Sequence, residues 1–250
     1  MADNTSSSTE TTNIIVVTWN RLPLFRASLL NLLERTKAPA RFIVIDNLSD
    51  DGTWEWLQTV EDPRLELHQP RKRQHHFENN NFGLEFVESE LFVTTIDKMV
   101  IFNYDWLEIE KKAMRENSEL RAVIPSAPTL PGSRFEGTLL GSGLIQTSGS
   151  FGAYYRMQRK SDVERMGGFQ PVGPWKLHSE DDGFTQAVTR LGGFLAIHGD
   201  LRMMNLLHGA PFSPDKLAIF EKRYSPAEID SWLIWKYMER FLKNGTYELG

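Results

Sequence analysis

Residues 14–53 read IIVVTWNRLPLFRASLLNLLERTKAPARFIVIDNLSDDGT, and this stretch decides the fold class. IIVVT is a continuous apolar and β-branched run, as expected of a strand buried on both faces in a parallel sheet. From Pro23 to Arg35 the leucines fall at helical spacing. FIVID at 42–46 is a second buried-type strand, ending on a carboxylate and followed by the polar turn NLSDDGT. Strand, helix, strand, polar turn and a further short helix over Trp54–Val60 form a βαβ pattern, which predicts an α/β protein with a Rossmann-like, mostly parallel central sheet flanked by helices.

The pattern extends outward from there. RLELHQP (64–70) reads as a third, more exposed strand, RKRQHHFENNNFG (71–83) as a loop, LEFVESE (84–90) as a helix and LFVTTID (91–97) as a strand that ends at Asp97. Strands ending on polar or acidic residues put Thr18 to Asn20, Asp46 and Asp97 at one sheet edge, the edge where open α/β sheets bind ligands. Beyond it, DWLEIEKKAMREN (105–117) reads as an amphipathic helix, AVIPSAPTLPGS (122–133) as a strand entering a Pro-rich loop, and 138–155 as a Gly/Ser-rich stretch with β character. SDVERMGGF is a short helix stopped by Gly167 and Gly168. EDDGFTQAVTRLGGF (180–194) is a helix with acids in its first turn, as the macrodipole favours.

Composition narrows the function. The chain has 250 residues, 40% hydrophobic and 24% charged, which fits one large domain with an appendage. Its 28 basic against 33 acidic residues give −5, the wrong sign to advertise nucleic-acid binding. Cysteine is absent, which removes disulfides, thiolate metal sites and cysteine nucleophiles and suits a cytoplasmic setting. The polar opening, 1–12, is expected to be a disordered leader rather than a signal peptide or anchor. No apolar run approaches the roughly 20 residues of a transmembrane helix.

The ordered set VVTWNR, IDNLSDDGT, NNNFG, TIDKMV with YDWL, GGF and SEDDGF resembles family-2-like glycosyltransferases of the GT-A fold, from about Asn13 to His208. The resemblance implies a donor that is a nucleotide-diphospho-sugar, with UDP as the default nucleotide, and an acceptor hydroxyl on a glycan, lipid, protein or modified nucleobase. It places Asp46 where a carboxylate accepts an N–H from the nucleobase, with Thr18 and Asn20 lining the same pocket. Asp46 in an Asp-Asn-x-Ser run is equally good turn chemistry. The general base of an inverting transfer maps to Asp181, with Glu180 and Asp182 beside it. Alone, those acids would be read as no more than a favourable helix start.

The family's Asp-x-Asp element is incomplete, because Asp97 is followed two positions on by Met99. A thioether is a poor ligand for Mg²⁺ or Mn²⁺, the divalent cofactors the resemblance implies. Three readings stand: His208 joins Asp97 as a metal ligand; Lys98 or the run Arg71, Lys72, Arg73 offsets the diphosphate charge; or catalysis has been lost, leaving a nucleotide-sugar-binding protein. A sugar-phosphate nucleotidyltransferase would share the architecture, but its Gly-rich phosphate loop should follow the first strand, and TWNRLPLFR has no glycine. The expected division is a leader at 1–12, a GT-A donor-binding and catalytic domain at 13–212, and a C-terminal helical extension at 213–250. Trp232, Trp235, Tyr237 and Phe241 of that extension suit packing on the core, with a homodimer or peripheral membrane surface as the alternative.

Overall fold

The structure is a computed structural model describing residues 10–126, 137–147, 155–170 and 180–205, with the side chains of 180–182 and 204–205 outside the description. The expected extension at 213–250 and residues 1–9 of the expected leader therefore lie outside the described residues, while Thr12 already opens the first strand.

The strands are β1 (Thr12–Thr18), β2 (Ala40–Asp46), β3 (Leu65–His68), β4 (Leu91–Ile96), β5 (Met99–Ile101), β6 (Leu120–Ser126), β7 (Gly137–Leu139), β8 (Leu144–Thr147), β9 (Tyr155–Arg159) and β10 (Phe194–Asn205). The helices are α1 (Leu22–Arg35), α2 (Thr53–Leu57), α3 (His76–Leu84), α4 (Trp106–Glu116), α5 (Lys160–Arg165) and α6 (Glu180–Arg190). The sheet runs β3-β2-β1-β4-β9-β6-β10-β8-β7, with β5 paired to β10. Its first four strands are all parallel, and β9 enters antiparallel between β4 and β6.

Alternation along each strand sends side chains to opposite faces. Ile14, Val16, Phe42, Val44 and Val93 share one buried cluster with Phe25, Leu29 and Leu32 of α1 and with Trp106 and Met114 of α4. Ile15, Val17, Ile43, Ile45 and Phe92 share the other with Phe77 of α3 and Val163 of α5. That two-sided burial is why the central strands carry no polar alternation. Two arginines close helix ends: Arg64 donates to the carbonyls of Leu33 and Thr36 after α1, and Arg159 to those of Met114 and Asn117 after α4.

Two expected elements move. FENNNFG is not a loop but the body of α3, and LEFVESE is helical only at Leu84. Glu78 accepts the His75 backbone N–H at 2.7 Å, and Asn79 donates to the His75 carbonyl at 3.2 Å, so residues that favour turns are satisfied within a helix. The helix expected at Trp54–Val60 is the shorter α2.

Gly83 explains how α3 sits so close to the sheet. A Cβ there would lie 2.8 Å from Cγ2 of the fully buried Ile15. Gly83→Ala is expected to destabilise the protein, because overpacking costs about 1–3 kcal/mol against about 1 kcal/mol returned by alanine's helix propensity. A lower urea midpoint checks this; an unchanged or higher one contradicts it.

Beneath α4, the fully buried Glu110 accepts a 2.6 Å hydrogen bond from the Tyr155 hydroxyl, and burial pushes the Glu110 carboxyl well above its ordinary value of 4.5. The unfolded chain ionises this group first as pH rises, so above the ordinary carboxyl range the folded state holds the extra proton. Stability is then lost with rising pH, at up to about 1.4 kcal/mol per pH unit until the folded group also ionises. Glu110→Gln removes that dependence. Its melting temperature relative to wild type should rise as pH is raised above the ordinary carboxyl range, and a constant difference would contradict the assignment.

Candidate functional site

Thr18 pairs in register with Asp46, and Val17 with Ile96, so β1, β2 and β4 end together. The segments that leave them, Trp19 to Arg21, Asn47 to Asp51, and Asp97 with Lys98, open onto one edge. The expected gathering of Thr18, Asn20, Asp46 and Asp97 is therefore observed.

The first two segments are tied to each other. Asn20 has a left-handed φ of 48°, donates from Nδ2 to Asp50 Oδ1 at 2.7 Å and accepts the Asp50 N–H at 2.8 Å. Asp51 accepts the N–H of Leu22 at 2.9 Å and of Thr53 at 3.1 Å, holding the first turns of α1 and α2 together. Burial raises the Asp51 carboxyl, but these hydrogen bonds outweigh it and leave the pKa below its ordinary value. Leu48 also adopts a left-handed φ, 59°, uncommon for a bulky side chain.

Asp46 is fully buried. Its Oδ1 accepts from the Ser49 hydroxyl at 2.5 Å, and its Oδ2 from the Ser49 N–H at 3.2 Å and Gln69 Nε2 at 2.7 Å. The turn chemistry open in the sequence is thus present. Asn47 exchanges hydrogen bonds with the Gln74 backbone at 2.9 Å each way, drawing the basic loop to this edge. Arg73 of that loop stands 4.6 Å over the Trp19 ring, which is 43% exposed, while Arg71 and Lys72 are exposed. Of the run Arg71, Lys72 and Arg73, Arg73 is the residue whose guanidinium stacks over Trp19.

At the third segment, the buried Asp97 carboxylate meets Arg21 Nη1 at 3.2 Å, with the Trp19 N–H at 3.5 Å. Burial pushes the Asp97 carboxyl up, against the pull of Arg21 and Lys98. Lys98, also buried, is pushed down by burial and by the Arg21 charge. Thr18 Oγ1 is buried without a hydrogen-bond partner among the described residues.

Met99 does not face this edge. It begins β5 and is buried in the larger core cluster. The reason is backbone bonding: Ser28 of α1 donates to the Met99 carbonyl at 2.6 Å, Asn31 exchanges hydrogen bonds with Ile101 at 2.7 and 3.2 Å, and β10 pairs alongside. Among the described residues no three His, Cys, Asp or Glu side chains gather as metal ligands. With Arg21 on Asp97 and Lys98 adjacent, the described residues do not fit a divalent cation. His208 lies outside the described residues.

A second group of residues lies on α3, the GGF turn and α6. Asn81 exchanges hydrogen bonds with the Phe169 backbone at 2.8 and 2.9 Å, so NNNFG clamps the GGF turn, a long-range link that sequence spacing cannot reveal. Gly167 and Gly168 take left-handed φ values of 78° and 85°, and a Cβ on Gly168 would strike Asn81 Oδ1 at 2.6 Å. A cavity of about 30 Å³ lies between this turn and Gly183, Phe184 and Ala187 of α6. Glu180, Asp181 and Asp182 form the first turn of that helix. The helix leads into β10, whose start pairs with the start of parallel β6, so its own first turn lies toward the edge where the parallel strands end.

The described residues thus form a strand-end α/β edge, with an acidic helix start directed toward the same side of the sheet. The chain belongs to Glycosyl transferase family 2, whose profile matches residues 13–169. No curated protein matches it by sequence. Among solved structures, GalNAc-T7 with UDP, GalNAc and Mn²⁺ superposes at a TM-score of 0.64 and 10% identity, over 78% of this chain and 43% of that one. The mannosyltransferase PcManGT from Pyrobaculum calidifontis, with GDP-Man and Mn²⁺, gives 0.62 and 19%, over 95% and 65%. S. aureus TarS 1–349 gives 0.61 and 14%, over 94% and 74%. The chain thus spans less than two thirds of the first two, and the likeness establishes the GT-A fold. No described helix is long and apolar enough to cross a membrane.

Proposed function

We propose that the protein transfers a sugar from a nucleotide-diphospho-sugar, with a UDP-sugar favoured, to an acceptor hydroxyl with inversion at the anomeric carbon. The observation that carries this reading is the convergence of Trp19, Arg21, Asp46 and Asp97 on one strand-end edge, in a family 2 chain whose α6 opens on Glu180, Asp181 and Asp182. The exposed Trp19 ring gives a nucleobase a surface to stack on. Asp46, with both carboxylate oxygens bound to Ser49 and Gln69, shapes the base pocket from the buried side of the loop, and Asp97 with Arg21 addresses the ribose and diphosphate.

Asp181 removes the acceptor proton as the acceptor oxygen bonds to the anomeric carbon. The bond from that carbon to the diphosphate oxygen breaks, and the nucleoside diphosphate leaves with the electron pair. Glu180 and Asp182 hold the acceptor and keep the base's proton affinity high by like-charge repulsion.

Calorimetric titration with UDP, GDP and dTDP in Mn²⁺ buffer tests the donor class. UDP should bind most tightly. Failure of all three to bind would overturn the donor assignment.

A further inference from the structure

We infer that the donor's diphosphate is held by Arg21 and Lys98 in place of a divalent metal ion. The inference rests on the reading that the protein binds a nucleotide-diphospho-sugar, and it answers the incomplete Asp-x-Asp element of the sequence.

The second position of that element is removed from the site by the fold. Met99 is buried, and its strand is fastened on one side by Ser28 and Asn31 and on the other by β10. No rotation of its side chain returns a ligand to the edge. The nearby acids of the second segment are committed elsewhere: Asp46 to Ser49 and Gln69, Asp50 to Asn20, and Asp51 to Leu22 and Thr53.

Among the described side chains that leaves Asp97, and it is already paired with Arg21. Arg21 Nη1 lies 3.2 Å from its Oδ1, and Lys98 follows in the chain. An incoming divalent ion would have to displace Arg21 from Asp97 and then sit beside Lys98, whereas a diphosphate oxygen accepts from the guanidinium donors that Asp97 leaves.

Arg21 is built for that task. Its side chain is 41% exposed, and a guanidinium that spends one nitrogen on Asp97 has further donors for phosphate oxygens. It also stands at the N-cap of the 14-residue α1, at the same strand-end edge as Asp97. Asp97 thereby becomes the group that orients the arginine rather than a metal ligand.

Calorimetric titration of the full chain with UDP in Mn²⁺ and again in EDTA tests this, with Arg21→Gln and Lys98→Gln as variants and melting temperature as the control for folding. Wild-type affinity should agree within about twofold between the two buffers, and Arg21→Gln should lose about 10- to 100-fold in EDTA, the worth of a charge-assisted hydrogen bond. Lys98→Gln should lose affinity in the same direction, which keeps the test decisive if one variant folds poorly. Binding that requires Mn²⁺ would overturn the inference and leave the donor reading intact. So would variants that fold and bind UDP like wild type. Absence of UDP, GDP and dTDP binding in both buffers would overturn the donor reading and this inference with it.

Discussion

Asp181→Asn is expected to bind the donor nucleotide like wild type and to transfer sugar about 10²- to 10⁴-fold more slowly, the span typical of a lost general base. Asparagine keeps the shape and hydrogen-bonding reach of aspartate but cannot take a proton at neutral pH. The position favours the role. Asp181 lies in the first turn of the 11-residue α6, one turn or less from Gly183 and Phe184, which line the cavity against the GGF turn. Its neighbours provide the comparison. Glu180→Gln and Asp182→Asn should reduce turnover less, because in this account they position the acceptor or tune the base. Rate measurements at saturating donor separate the cases. Normal transfer by Asp181→Asn would remove Asp181 as the base, and a dead Asp182→Asn beside an active Asp181→Asn would move the role one residue along.

Asp46→Ala is expected to have two effects at once. The buried carboxylate accepts from the Ser49 N–H, the Ser49 hydroxyl and Gln69, so its loss leaves half-buried donors without their acceptor, at up to about 1 kcal/mol each where water does not replace it. The second strand-end loop, pinned to Asn20 and to the Gln74 backbone, should loosen, and nucleoside diphosphate affinity should fall at least about tenfold. A lower melting temperature with unchanged affinity would make Asp46 a loop-holder alone. Unchanged values of both would contradict its placement in the site.

The parts of the fold legible in the sequence are those fixed by local physics. IIVVT and FIVID are buried on both faces, and their composition says so. Pro23 and the leucines after it announce α1, and Gly167 and Gly168 stop α5 as expected. What escaped is held by distant partners. α3 forms through a run of three asparagines because Asn79 bonds within its own helix start and Asn81 bonds to Phe169, 88 residues away. β5 is three residues long and owes its place to Ser28 and Asn31 of α1. β9 buries Arg156 and Gln158, with the Arg156 guanidinium 4.3 Å over the Phe184 ring, a polar pattern that does not advertise an interior strand.

The site was legible to a similar degree. The strand-end carboxylates Asp46 and Asp97 were readable because the edge follows from the βαβ order. Their partners were not: Arg21 on Asp97, Gln69 on Asp46 and Arg73 on Trp19 come from loops that only the fold brings together. Met99 is the instructive case. Spacing made it a failed metal ligand, whereas the structure makes it a core residue and leaves the charge question to the cations beside Asp97.

The central claim is sugar transfer from a nucleotide-diphospho-sugar, and the most direct measurement is release of free nucleoside diphosphate from a panel of UDP-, GDP- and dTDP-sugars by the purified protein, with water as the acceptor of last resort. The account expects one donor class, UDP-sugars first, to be consumed by wild type and spared by Asp181→Asn. Wild-type protein that binds a nucleoside diphosphate yet leaves every donor intact, with or without Mn²⁺, would contradict it.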